Sequence, residues 1–317
     1  MNLKSKMSNI LSYLESYSQN HLNMKNLTSE NSEVFCFAVS GKFGDNELSG
    51  FGQSYNKDKS FLIAVMELLE RFIVNQFSVE GKIKKGLFKK SEFKYYKVTS
   101  TNGVAVHFSR KEAISNALDE LIERHIVLKA LAENISPLKL IGLTESFEKQ
   151  TKYPLDFYTW LGPYKRNVVV ARARHKGHTI YGFGCNKNLN KSLGKSFLEL
   201  YPRLSLFEDF ADTKRSFINN NEHTLFHWEG STDWTNNFFE KSKNIIVPPK
   251  IDVGINKSEL IADDFIICNN LKKIGVNAVV LRCAKFQQLF SGSWSNSKIN
   301  MRAISTANLP PEVHMIG

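Results

Sequence analysis

The sequence predicts an α+β protein built from repeated strand–Gly turn–helix units, with mixed or antiparallel sheets and a charged site between the units. Three observations carry this expectation. Ser60 to Val74, SFLIAVMELLERFIV, is apolar almost all round when read as a helix, which marks it as buried, yet it holds Glu67, Glu70 and Arg71 on one face. The Glu-x-x-Glu-Arg spacing returns at Glu120, Glu123 and Arg124, 53 residues on, and in a shorter form at Glu199 and Arg203. The approach returns as well. Gly50-Phe51-Gly52 ends 15 residues before Glu67, Gly182-Phe183-Gly184 ends 15 before Glu199, and Asn102-Gly103 precedes the middle copy. Self-similarity of this kind reads as one unit used three times.

Taken in order, residues 3–18 place Leu3, Met7, Ile10, Leu11 and Leu14 on one stripe and predict a helix, packed on the domain or used in a dimer or partner contact. Residues 20–33 are polar and read as loop. Val34–Ser40 and Glu47–Gly52 read as strands, the second ending in the glycine turn. The helix over 58–78 follows, then a basic loop at 80–92, a strand at 93–98, the turn Thr101-Asn102-Gly103 and a short strand at 104–107. Ser109, with Glu112 three residues later, caps a helix over 110–132. From Pro137 onward, alternating and β-branched runs predict strands at 137–143, 155–162, 166–174 and 178–183. The last two form a hairpin around Lys176-Gly177, where Arg172, Arg174 and His175 read as exposed charges near the tip or as phosphate contacts. The helix over 189–211 carries Glu199 and Arg203, and Pro202 predicts a kink in it. Residues 213–256 read as loop, with His223 and His227 structural. A helix at 257–274 and a strand at 276–283 form the last helix–strand unit.

Charges inside a buried helix need partners, because an unpaired ion there costs several kcal/mol. Two readings follow: a structural Glu–Arg ion pair, or a carboxylate pair facing a cation such as a metal ion. The middle helix alone reads as a solvated face, since Glu112, Asn116, Asp119, Glu120 and Glu123 make one polar stripe. Its pairing with the first helix reverses that. Three helices presenting carboxylates would converge on a polyanion held through Mg²⁺, which favours carboxylate and phosphate oxygens plus water.

The stretches GFGQSYNKDKSFLIAVMELLERF, STNGVAVHFSRKEAISNALDELIERH and GFGCNKNLNKSLGKSFLELYPRL occur in that order. They resemble the characteristic stretches of the YcaO domain proteins, over Phe35 to Ala284. The family shows a Gly-containing turn before Ser-Ala-x-x-Glu-x-x-Glu-Arg, then Ser-Asn-Gly before a helix ending Glu-x-x-Glu-Arg-Asp. A Gly-x-Gly turn before a helix with Glu and Arg comes last. The resemblance implies a YcaO-type fold with an ATP and Mg²⁺ site between the repeated units. It also implies an enzyme that phosphorylates the oxygen of a peptide-backbone amide. Attack by a Cys, Ser or Thr side chain then gives an azoline, attack by sulfide a thioamide, and attack by a backbone amine an amidine. The roles it implies are catalysis for Glu70, Glu123 and Arg71, and nucleotide binding for Glu67, Glu120, Asn116, Arg124, Glu199, Arg203 and Asn102. Glu67, Glu70, Glu120, Glu123 and Glu199 would hold Mg²⁺. The chain departs from the family at Ile63, where Ser is usual, at Phe51, where many members have Lys, and at His125, where Asp is usual. The tail Asn308 to His314 resembles the Pro-rich C-terminus of cyclodehydratase members. The implied partners are a precursor peptide, a separate ThiF-like leader-binding protein and a dehydrogenase, within a homodimer or hetero-oligomer.

Composition sets the outer bounds. With 317 residues, 42% hydrophobic and only 8 Pro, the chain is globular and of one large or two small domains. The reading adopted is an N-terminal helix and loop at 1–33 and a catalytic domain at 34–317. No apolar run approaches the roughly 20 residues of a membrane span, and the N-terminus has no signal-peptide core. Four separated cysteines give neither a disulfide framework nor a zinc pattern, which fits a cytoplasmic protein. A formal charge of +11 admits nucleic acid, nucleotides, acidic peptides or an anionic membrane surface as ligands. A nucleic-acid-binding role leaves the recurring acid–arginine pairs unexplained. A nonenzymatic scaffold subunit of the same fold is the alternative that Ile63 and Phe51 favour. There is no G-x-x-x-x-G-K-[ST] sequence, so the chain is not a P-loop enzyme.

Overall fold

The computed structural model describes residues 3–30, 32–79, 102–142, 145–175, 178–205, 237–244, 246–253, 260–264, 268–282, 292–293 and 312–313. The expected loop and strand at 80–98, the tip Lys176-Gly177, His223 and His227 lie outside these residues, as does all of the Pro-rich tail except Glu312 and Val313. The chain divides into two compact units, Met1–Leu118 with Ile261–Arg282, and Asp119–Leu260 with Cys283–Gly317.

The first unit begins with α1 (Leu3–Glu15), whose Ile10 and Leu14 are buried in its core, so this helix packs on its own unit. Strands β1 (Asn23–Asn26), β2 (Phe35–Phe43) and β3 (Asn46–Ser54) form an antiparallel sheet in that order. β1 falls in a stretch that reads as loop, because pairing with β2 supplies a stability that its polar sequence does not advertise. Helix α2 (Lys57–Val79) lies on this sheet. Ala64, Val65, Met66, Leu68, Leu69, Phe72, Ile73 and Val74 are buried, as its apolar surface requires. Gly50 and Gly52 sit inside β3, not in a turn. A Cβ at Gly50 would meet the Ala64 carbonyl oxygen at 2.2 Å, and one at Gly52 the Ser60 carbonyl oxygen at 1.9 Å. Helix and strand touch backbone to backbone there, and only glycine allows it. Ser60 donates its hydroxyl proton to the carbonyls of Phe35 and Gly52, both at 2.7 Å.

A second small sheet of this unit orders β4 (Val104–His107), β10 (Asn277–Arg282) and β9 (Ile261–Asp264), all antiparallel. The helix expected over 257–274 is therefore corrected. Ile261 to Asp264 pair with β10 as a strand, and among the described residues of that stretch the helix is Cys268–Lys273. Strand pairing outweighs a helical pattern that is short and poorly amphipathic.

Helix α3 (Arg110–Ala132) carries the chain into the second unit. There β5 (Leu138–Leu140), β6 (Leu155–Gly162), β7 (Arg166–His175) and β8 (His178–Asn186) form a four-stranded antiparallel sheet in chain order. The short α4 (Glu145–Glu148) lies between β5 and β6, and α5 (Leu189–Leu200) follows β8. The helix expected over 189–211 ends at Leu200 and tightens into a 3₁₀ turn at Tyr201–Ser205. Pro202 has no N–H to give and cannot continue the α-helical ladder.

The hairpin and helix of the first unit recur in the second at a constant spacing of 132 residues. Phe37 opposes Gly52, and Val169 opposes Gly184. Cβ atoms at Gly182 and Gly184 would meet the Ser196 and Ser192 carbonyl oxygens, each at 2.2 Å. Ser192 donates to the Asn167 carbonyl at 2.9 Å, as Ser60 does to that of Phe35. The Asn56 side chain accepts the Lys59 N–H at 2.9 Å, and Asn188 accepts that of Lys191 at 3.2 Å. Both helices thus start on an asparagine cap.

Candidate functional site

In the first unit, Glu67 and Arg71 are one helical turn apart, and Arg71 Nη2 donates to Glu67 Oε1 at 2.6 Å. Glu67 Oε2 accepts the backbone N–H of Phe51 at 2.6 Å. β3 is the outermost strand of its sheet, so this N–H points away from the ladder and the carboxylate takes the place of a strand partner. Glu70 does the same for β4, accepting the Val106 N–H through Oε1 at 2.7 Å. Charge-assisted bonds of this kind hold carboxylates in fixed orientation. The Arg71 guanidinium stands 6.0 Å from the centre of the Phe51 ring.

In the second unit, Glu199 repeats the arrangement on β8, again an outermost strand. Its Oε2 accepts the Phe183 N–H at 2.8 Å and its Oε1 the Arg203 Nη2 at 3.1 Å. Arg203 Nη1 also reaches the Tyr181 carbonyl at 2.7 Å. Around Glu199 gather the acid–arginine residues of α3. Glu123 is buried, and its carboxyl is pushed up to about 8, first by burial and also by the charges of Glu199 and Glu120, against the pull of Arg124 and Lys195. Arg124 Nε lies 3.7 Å from Glu123 Oε1 and makes no hydrogen bond among the described residues. Its guanidinium is 6.0 Å from the Phe183 ring centre.

Glu67 and Arg71 are thus brought together in one unit, and Glu120, Glu123, Arg124 and Glu199 in the other. Asn116 is exposed on α3, and Asn102 is half-buried ahead of Gly103, whose φ of 74° makes the turn into β4. His125 is fully buried, and burial, with the nearby charge of Lys129, pushes its imidazole down to about 3. It is a neutral core group and not a stand-in for an acid. Arg172 corrects the expectation of an exposed hairpin charge. It is completely buried, donates to Asp156 Oδ2 at 2.9 Å and Tyr158 Oη at 2.6 Å, and lies 5.3 Å from the Phe239 ring centre. Its partner Asp156 sits opposite it on the neighbouring strand, out of sight of a local reading.

Lys195 was not singled out by its sequence. Its Nζ is 3.3 Å from the Cys185 carbonyl and 3.7 Å from Asp119 Oδ2, and its charge favours ionised Glu123. The signal was present: Lys195 stands four residues before Glu199, as Asn116 stands before Glu120 and Ile63 before Glu67. Asp119, by contrast, is a structural anchor, buried in an ion pair with Arg166 Nε and accepting from Asn186 at 3.3 Å.

Among the described residues, no three His, Cys, Asp or Glu side chains form a group able to hold a metal ion. Magnesium does not require one, because it takes one or two carboxylates and fills the remaining positions with water and phosphate oxygens. The donor set fits that habit. A carboxyl held protonated by burial and like charges becomes a ligand when a divalent cation replaces the proton. A buried guanidinium edge without a hydrogen-bond acceptor matches a phosphate oxygen.

No curated protein matches the chain in sequence. Among solved structures, it is similar to the YcaO protein of Methanopyrus kandleri bound with AMPPCP and Mg²⁺, at 12% identity and a TM-score of 0.60, over 89% of this chain and 90% of that one. It is similar to a chain of the E. coli microcin synthetase McbBCD complex, at 14% identity and a TM-score of 0.54, over 92% and 94%. A heterocyclase in complex with substrate and cofactor matches at 11% identity and a TM-score of 0.55, over 87% of this chain and 51% of that one. At such identities the likeness is one of fold, and the α+β fold of this chain is that of YcaO structures. The family model described as YcaO cyclodehydratase, ATP- and Mg²⁺-binding, matches residues 87–285, well over half of the sequence, and the chain belongs to the YcaO family.

Proposed function

We propose that this protein activates a backbone amide of a ribosomally made precursor peptide at the expense of ATP, and that the outcome is cyclodehydration of Cys, Ser or Thr to azolines. The observation that carries this reading is the group around Glu123: a buried carboxyl held up at about 8 beside Glu120, Glu199 and the buried edge of Arg124. Such a group is incomplete without a cation and an anion, and Mg-ATP brings both. Magnesium, when bound, neutralises charge on the phosphates. We draw its ligands from Glu67, Glu70, Glu120, Glu123 and Glu199, one or two of them to each ion, with water and phosphate oxygens completing the shell. Arg71, Arg124 and Arg203, with Asn102 and Asn116, are assigned to the nucleotide, and Lys195 joins them as a further cation.

The residues closest to chemistry in this reading are Glu70, Glu123 and Arg71. An amide carbonyl is a poor electrophile, and its oxygen becomes a leaving group once it takes the γ-phosphoryl group and ADP departs. A side-chain thiol or hydroxyl then adds to the carbon and phosphate is expelled. The chain's own part is positioning and charge complementarity. Glu67 and Glu199 keep fixed rotamers because an edge amide and an arginine hold both of their oxygens. A separate leader-binding protein of ThiF type would raise the effective concentration of the peptide. The fold neighbour from the microcin synthetase complex supports a multi-protein setting.

The test is ATP hydrolysis and peptide mass spectrometry with Mg-ATP and the partner protein. We expect E70Q and E123Q to lower ATP turnover at least a hundredfold while keeping the fold by circular dichroism. Loss of one water's mass per modified residue identifies azoline formation, whereas exchange of oxygen for sulfur identifies a thioamide. Unchanged hydrolysis in both variants overturns the assignment. An unmodified peptide in the presence of the partner and ATP favours a scaffold subunit.

A further inference from the structure

The geometry points to Arg172 and Arg174 as a cradle for a carboxylate of an acidic peptide segment, a place that Glu240 fills only loosely. This rests on the peptide-substrate reading above and deepens it by giving the peptide an anchor on the second unit. Side chains alternate along β7, so Arg172 and Arg174 share one face. Asp156 opposes Arg172 on β6, and its Oδ2 accepts from Arg172 Nη2 at 2.9 Å and from Arg174 Nη2 at 3.1 Å. Lys139 of β5 reaches the other oxygen at 2.6 Å. Burial pushes the Asp156 carboxyl up, but the hydrogen bonds from Lys139 and Arg172 outweigh it and hold it below its ordinary value. Three cations thus share one fixed carboxylate.

A second carboxylate faces the same guanidinium groups and is held differently. Glu240 Oε1 is 3.6 Å from Arg172 Nη2 and 3.8 Å from Arg174 Nη1, both longer than a hydrogen bond. Its side chain is 41% accessible, against 11% for Asp156. An ion pair that exposed contributes little, so it exchanges readily for a carboxylate that comes close enough to hydrogen-bond. The cationic side is preorganised. Arg172 has no accessible side-chain surface, and its guanidinium lies 5.1 Å from the Tyr158 ring centre and 5.3 Å from that of Phe239, which keeps its donors in one direction. Arg174, 45% accessible, opens the cradle to the surface.

Glu240 shows which group fits: a carboxylate on a flexible side chain. The formal charge of +11 favours acidic peptides in general, and the cradle supplies a specific point of contact for one. Its place in the sheet suits a substrate. Tyr181 opposes Arg172 on β8, and the Tyr181 carbonyl accepts Arg203 Nη1. A peptide anchored at Arg172 and Arg174 therefore lies one strand from the Glu199–Arg203 clamp.

Fluorescence anisotropy of the full-length protein with a labelled peptide alternating Glu and Gly, and with its Gln-for-Glu counterpart, tests this. Wild type is expected to bind the Glu peptide about tenfold more tightly, as charge-assisted hydrogen bonds allow. R174M should remove that preference. E240Q should tighten binding of the Glu peptide by about threefold, the size of the exposed ion pair it releases. K4M and E15Q make the same changes of charge at exposed positions of α1 and should leave both affinities nearly unchanged. No preference in wild type, equal effects of R174M and K4M, or an E240Q affinity no higher than that of E15Q overturns the cradle. Mg-ATP binding by wild type is measured alongside. If it is absent while the peptide results hold, the proposed function falls and the carboxylate site stands; if Mg-ATP binds and the peptide results fail, the cradle alone falls.

Discussion

The two hairpin–helix modules, Phe35 to Arg71 and Asn167 to Arg203, share a register, an asparagine cap, a buried serine, two close-packed glycines and a Glu–Arg clamp on an edge amide. They differ in what surrounds the clamp. Arg71 has 41% of its side chain accessible and Arg203 has 21%. Ile63 stands where the second module has Lys195, and the exposed Phe51 stands where the second has the buried Phe183. The common part is what a helix needs to lie directly on a strand. The differing part is decided by the neighbours of each module, and it is where ligand binding and specificity have room to diverge.

The largest expected effect lies on the crowded side of this comparison. Glu123, next to the Glu199 clamp, has its carboxyl raised from an ordinary 4.5 to about 8. The folded chain keeps a proton there that the unfolded chain releases. This contribution to stability is complete below about pH 4.5, is lost as pH rises, and is gone above about pH 8. At about 1.4 kcal/mol per unit it amounts to about 5 kcal/mol at most. Urea denaturation of ligand-free protein at pH 5 and pH 9 should show wild type losing stability relative to E123Q. Parallel pH curves for the two would show that burial does not hold the Glu123 carboxyl protonated.

Next come the glycines. G52A and G184A place a methyl group against a helix carbonyl, and overpacking of this kind costs about 3 kcal/mol or slightly more. The two should be equally harmful in thermal melts. If only one is, the modules do not share their helix–strand contact. Smallest are the caps: N56A and N188A should each lose about 1 kcal/mol. A difference between them above that size would mean that Asn56 and Asn188 do different work.

Much of the design is visible in the sequence because repetition exposes it. The acid–arginine spacing and the paired glycines stand out as soon as the three stretches are set side by side, and the structure places Glu67 and Glu199 in equivalent positions. The glycines themselves are misread as turns, since a glycine that frees the backbone and one that admits a helix look alike in one dimension. Arg172 is misread for a related reason: its partners Asp156 and Tyr158 come from the neighbouring strand, and a charge near a hairpin tip looks exposed until that strand is placed. Lys195 is missed because the acids it meets, Asp119 and Glu123, lie on α3, far from it in the sequence. The strand at Ile261–Asp264 is missed because its partner β10 lies further along the chain.

Glu67, Glu70 and Glu199 also have a consequence for solubility. Each occupies an outward-facing amide of a border strand, at Phe51, Val106 and Phe183. An unclaimed amide on a border strand is an invitation to another chain, and a carboxylate in its place both fills the bond and repels a newcomer. The residues assigned to ligand binding therefore double as guards against intermolecular strand addition. A variant stripped of them is expected to pair with other chains through those strands, besides losing the ligand contacts proposed above.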